Sequence, residues 1–188
     1  MRKLFCVIFI LGFQLIAYQI GVAGNLTNVY IHPDFKRLKI YDIGILPFKD
    51  KTDPKRKDIG SLITAQFISQ LNKKGWYSIH NLKEEDLDFP ERLSKIDAIL
   101  KAEILEYQER RPLKFGIKLS LIYLDTNETI WSLQEIFDAN QKKVVHQIKG
   151  YYRDNIEKTF PLTGHKLYLV SIDKFLEFVF DTIIETLK

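Results

Sequence analysis

The sequence predicts an α/β (α+β) sandwich: a mixed sheet with a C-terminal antiparallel β-meander, flanked by helices. Three observations carry this reading. A strand, a helix and a second strand succeed one another between Lys39 and His80. Three alternating segments follow between Ala98 and Phe137, joined by short turn-rich links. Two helical patterns close the chain.

Each element has its own warrant. Asn25–Asp34 reads as a lead-in, extended at most, because Pro33 biases His32 away from helix. Lys39–Leu46 reads as a strand that is apolar on both faces and therefore central, with Asp42 as the polar exception. Pro47 has no N–H to give a ladder, so the strand is expected to stop there. Gly60–Lys74 reads as helix: Ile59, Ile63, Phe67 and Leu71 recur every fourth residue, Asp58 stands at the N-cap and Gly75 just past the end. Trp76–His80 is a short strand, and Lys83–Lys95 holds at most one helical turn near Pro90–Ser94.

Ala98–Tyr107, Phe115–Leu124 and Thr129–Phe137 make the meander through the links Glu109–Pro112 and Asp125–Glu128. Asp138–Ile156 opens with a turn and continues as helix. Pro161–Gly164 is a loop, and Ser171 precedes a last helix, Ile172–Leu187, striped by Phe175, Val179 and Ile183.

The first 24 residues stand apart from this fold. Arg2 and Lys3 precede an apolar run from Leu4 to about Ile16, and Gly21, Ala23 and Gly24 end it. That order is a secretory signal peptide. The alternative is a retained anchor, but Gln14 and Gln19 interrupt the ~20 apolar residues a spanning helix needs. Residues 25–188 then form one domain of ordinary length. Cys6 is the only cysteine and lies within the signal, so the exported chain has no disulfide and no thiolate chemistry. The net charge of +4 includes Arg2 and Lys3, too little for a nucleic-acid-binding domain.

Few residues suggest chemistry. His32 and Asp34 are metal-ligand types, but His80, His146 and His165 are scattered without ligand spacing. Glu103 and Glu106 are three apart, which on a regular strand places them on opposite faces. Ser61 and Ser171 begin helices and belong to no nucleophile motif, and no Gly-rich phosphate loop occurs. Trp131 reads as core. No cofactor or metal is expected. Lys51, Lys55, Arg56 and Lys57 form a basic loop; its plain reading is a solvated turn, and its sharper one contact with anionic lipid or an acidic partner.

Three stretches in order resemble a family of bacterial envelope proteins. They are Ile45-Leu46-Pro47-Phe48-Lys49-Asp50-Lys51-Thr52, Asp97-Ala98-Ile99-Leu100-Lys101-Ala102, and Asp125-Thr126-Asn127-Glu128-Thr129-Ile130-Trp131-Ser132. The family shares a domain like the N-terminal domain of TolB (anticodon-binding-like) and includes the curli-export, penicillin-binding-protein-activator and Pel-export lipoproteins. The resemblance spans about Tyr30 to Asp138. Asp50 stands where the family has asparagine, and the lipidated N-terminal cysteine of most relatives has no counterpart in residues 25–188.

The resemblance implies a non-enzymatic accessory or adaptor protein of envelope assembly or export of protein or polysaccharide. It would be exported to the periplasm or the periplasmic face of an envelope membrane, and would dock a protein partner, with peripheral membrane contact and homo-oligomerisation left open. The alternative is a periplasmic hydrolase or glycan-processing enzyme. A deep pocket with clustered carboxylates would favour the enzyme, and an open sheet edge or flat apolar patch would favour docking.

Overall fold

The structure, a computed structural model, describes residues 26, 28–52, 58–160 and 164–188. The signal segment, Lys55–Lys57 and most of the Pro161–Gly164 loop lie outside the described residues. The strands are β1 (Val29–Ile31), β2 (Asp42–Ile45), β3 (Lys49–Asp50), β4 (Ser78–Asn81), β5 (Ala98–Gln108), β6 (Lys114–Tyr123) and β7 (Glu128–Asp138). The helices are α1 (Ile59–Lys74), α2 (Pro90–Leu93), α3 (Lys142–Asn155) and α4 (Ile172–Ile184).

All seven strands join one mixed sheet in the order β1-β7-β6-β5-β2-β4, with β3 also pairing with β5. β5, β6 and β7 are antiparallel, as the short links require, while β2 runs parallel to both β4 and β5. This is the expected mixed sheet with its meander, flanked by helices. Asn127 turns the β6–β7 hairpin with φ 57°, a left-handed conformation that asparagine tolerates.

Several boundaries differ from the sequence reading, each for a physical reason. The lead-in contains an edge strand: β1 pairs antiparallel with β7, Tyr30 opposite Ser132. β2 starts late because the N–H groups of Tyr41 and Asp42 donate to the Asp97 carboxylate, at 2.7 and 2.9 Å. β4 starts two residues later and ends one later than expected, and its ladder opens with the Ser78 N–H donating to the Tyr41 carbonyl. Asp58 makes no side-chain cap because its backbone is already helical; Ser171 is extended yet also makes none.

Pro47 interrupts the sheet rather than ending it. The Leu46 N–H still donates to the Leu100 carbonyl, and after Phe48 the chain rejoins β5 as β3, with Lys49 opposite Glu103. The step is held by α1. The Phe48 N–H turns away from the sheet and donates to Thr64 Oγ1 at 2.8 Å, and that hydroxyl donates to the Gly60 carbonyl. Gly60 has to be glycine here, since a Cβ would sit 2.2 Å from the Phe48 carbonyl oxygen.

The main core lies between one sheet face and the helices α1, α3 and α4. Phe67 of α1 meets Phe48 and Phe180, and Phe180 of α4 meets Phe115 of β6, all with ring centroids 5.4–5.7 Å apart. Trp131 is fully buried and donates its indole N–H to Thr186 Oγ1, tying the chain's last turn to β7. On the opposite face a smaller cluster of Leu46, Leu82, Ile96 and Ile99 packs with Leu87 and Leu93, around α2 and the turn before it. Gly44 admits Leu82 to that cluster.

Candidate functional site: the uncovered face of the sheet

The small cluster covers only one part of the second sheet face. Over β1, β7, β6 and the adjoining stretch of β5, no described helix lies on that face. Strand alternation decides what it presents. Leu119, Leu121, Trp131 and Leu133 are buried towards the helices, so Lys118, Ser120, Ser132 and Gln134 project the other way.

Register lines these residues into rows. Tyr30, Ser132, Ser120 and Lys101 stand side by side across four strands. Gln134, Lys118 and Glu103 form the next row. The two serines are short, so their row is the floor of a shallow depression of about 450 Å³ walled by Asn28, Tyr30, Lys118 and Gln134. The surface offers hydroxyls, amides, a phenol and two ammonium groups. It can hydrogen-bond and attract an acidic surface.

The bulge in β5 corrects one sequence expectation. Pairing passes from Ile104–Ile117 to Glu106–Gly116, leaving Leu105 as the extra residue. The bulge resets the alternation, so Glu103 and Glu106 share the uncovered face. They still do not act as a pair. Glu103 lies 3.8 Å from Lys51, and Glu106 lies 3.6 Å from Lys114.

Of the basic residues singled out in the sequence, Lys51 is described. Its N–H continues the β3 ladder to the Ile104 carbonyl, and its side chain stands at the rim of the uncovered face through Glu103. Lys55, Arg56 and Lys57 lie outside the described residues. His32 accepts the Asp34 N–H in a local turn. Among the described residues no group of three or more His, Cys, Asp and Glu could hold a metal ion.

One polar cluster escaped the sequence reading. Parallel pairing of β2 with β4 brings together Asp42, His80 and Ser78. His80 Nε2 is 2.7 Å from Asp42 Oδ1 and 3.3 Å from Ser78 Oγ. The bonds from His80 and Ser78 hold the Asp42 carboxyl below its usual range. Both partners address the same ring nitrogen. A serine nucleophile needs the carboxylate and the hydroxyl on opposite nitrogens, so that a proton passes through the ring. This cluster does not have that geometry.

The motifs behind the family resemblance prove architectural. Pro47-Phe48 makes the strand step, Asp97 clamps the start of β2, and Trp131 anchors the chain's end.

No known protein family matches the sequence, and no curated protein does. Similar solved structures include the PelC dodecamer from Paraburkholderia phytofirmans, at 14% identity over 52% of this chain and 70% of that one, with a TM-score of 0.44. Lipoprotein GNA1162 from Neisseria meningitidis is 15% identical over 63% of this chain and 99% of its own, TM-score 0.41. The protein CT253 from Chlamydia trachomatis is 14% identical over 78% and 94%, TM-score 0.43. At these values the similarities assign neither a family nor an activity to this chain.

Proposed function

We propose that this chain is a non-enzymatic accessory protein of the bacterial envelope that docks a partner protein on the uncovered sheet face. Residues 1–24 act as a signal peptide and residues 25–188 as a single TolB-N-like domain, on the sequence resemblance given above. The observation that carries the docking reading is the pair of rows Tyr30–Ser132–Ser120–Lys101 and Gln134–Lys118–Glu103. A sheet half covered on one face leaves flat polar area available to a partner. Lys101 and Lys118 give it an attraction for acidic surfaces, Lys51 adds to that charge at the rim, and the basic run that continues in sequence with Lys55, Arg56 and Lys57 suits an acidic partner or anionic lipid.

The test is photo-crosslinking in intact cells, with the crosslinking residue at Gln134 on the uncovered face or at Asp154 on α3. Fractionation of the same cells locates the protein. An adduct of defined mass from Gln134 but not Asp154, in the periplasmic or envelope fraction, is expected. Equal labelling from both positions, or a cytoplasmic protein, would overturn the reading.

A further inference from the structure

We propose that the outer face of α3 rests on an anionic lipid surface, where Lys142, His146, Lys149 and Arg153 meet lipid phosphates. α3 packs on the opposite side of the sheet from the docking face, and the inference stands without that reading.

The first ground is the placement of charge on the helix. Val144, Ile148 and Tyr152 are buried and turn one side of α3 to the core. At about 100° per residue, Lys142, His146, Lys149 and Arg153 fall within an arc of about 60° on the outer side. All four are exposed. The arc runs about 16 Å along the helix axis. Between Lys142 and Lys158 the chain has five lysines and arginines against two acids, Asp154 and Glu157. This short segment therefore carries net +3 of the chain's +4.

The second ground is that much of this charge is uncancelled. Lys143, beside the arc, lies 3.9 Å from Glu135, and Arg153 is held by Asp154 at 2.8 Å. Lys142, His146 and Lys149 have no ion pair among the described residues. The acids of the neighbouring α4 lie away from the arc. Tyr151 faces α4, meeting Phe178 edge-on at 5.6 Å, and it stands on the opposite side of the helix from Lys142 and its neighbours. Glu177 and Asp181 of α4 are in any case paired, with Lys174 and Lys74.

The third ground is what the arc lacks. Specific protein interfaces centre on buried apolar or aromatic anchors. Among the described residues α3 exposes no large apolar side chain. A headgroup layer asks only for cations, and each lysine or arginine near its surface is worth about fivefold in affinity. The apolar side of α3 is spent on the core, so the contact is with headgroups, without the insertion an interfacial helix makes. A line of exposed cations with no anchor between them suits a lipid surface better than an acidic protein.

The test measures flotation of the purified full chain with two kinds of vesicle. One holds phosphatidylglycerol and phosphatidylcholine in equal parts, the other phosphatidylcholine alone. The quantity read is the ratio of the two affinities, to which residues 1–24 contribute equally in every variant. The parent should favour the anionic vesicles, and high salt should remove the preference. Lys142→Gln with Lys149→Gln should lower the ratio about ten- to thirtyfold, and Lys142→Arg with Lys149→Arg should retain it. Lys149→Gln alone, at about fivefold, remains readable if the pair folds poorly. Lys101→Gln with Lys118→Gln removes the same charge from the docking face and should leave the ratio unchanged. No preference in the parent, or equal loss from the Lys101 and Lys118 pair, would overturn the proposal. So would loss on reversing Lys51, Lys55, Arg56 and Lys57 while the α3 variants bind as the parent does. Capture by polyglutamate beads without vesicle binding would put an acidic protein in place of lipid and overturn it too.

Discussion

Replacing Thr64 with valine tests how the sheet is stepped at Pro47. Thr64 is 4% exposed, and its hydroxyl accepts the Phe48 N–H while donating to the Gly60 carbonyl. Valine keeps the shape and removes both bonds. Phe48 is itself buried, so its N–H would lose its partner away from water. An unsatisfied buried donor costs ~1–3 kcal/mol. For a domain of this size each kcal/mol moves the melting temperature by about 2–4 °C, so the expected fall is about 2–12 °C. Thr64→Ser keeps the hydroxyl and loses one methyl, at about 0.8 kcal/mol, so it should melt between the parent and the valine variant at most. Calorimetry of the three proteins decides the matter. Valine as stable as threonine, or serine worse than valine, would refute the view that this hydroxyl holds the step.

Other consequences follow from the packing and the charges. Phe175→Ala should cost ~3–5 kcal/mol in chemical denaturation, because Phe175 is fully buried in the core. Charge reversal at Lys51, Lys55, Arg56 and Lys57 should leave melting unchanged, since exposed pairs rarely exceed ~1 kcal/mol. If the loop meets anionic lipid, the same reversal should abolish a vesicle binding that high salt also removes. Stability should fall as pH rises above ~10. Burial pushes Tyr168 up to about 12 and raises Tyr151 as well. The unfolded tyrosines therefore release protons first, and alkali favours unfolding. Lys74 acts in the same sense: burial opposes its charge, but Asp181 and Glu185 outweigh this and raise it, a stabilisation lost as pH climbs. Tyrosine absorbance and denaturation curves between pH 8 and 12 check both.

How much was legible in the sequence depended on how local the signal was. The α1 stripe, its closing Gly75 and the three meander strands came out within a residue or two, because periodicity and turn chemistry are written in neighbouring residues. β1 was missed because it takes its order from β7, a hundred residues away. Glu103 and Glu106 were misplaced because parity assumes a regular strand, and nothing in Glu103-Ile104-Leu105-Glu106 announces a bulge. The uncovered face was not legible either. Its residues come from four strands and converge only once register is known, as do Asp42, Ser78 and His80. Asp42 was visible as a polar exception in an apolar strand, and His80 as an isolated histidine, with no local sign that they meet.

The docking claim is tested most directly by filling the depression. Ser132 lies on its floor, so Ser132→Trp adds bulk without touching the core behind it. The measured quantity is the yield of the Gln134 crosslinked adduct in cells expressing this variant at parental levels. An unchanged melting temperature and loss of most of the adduct are expected. An unchanged adduct on a folded variant would contradict the claim.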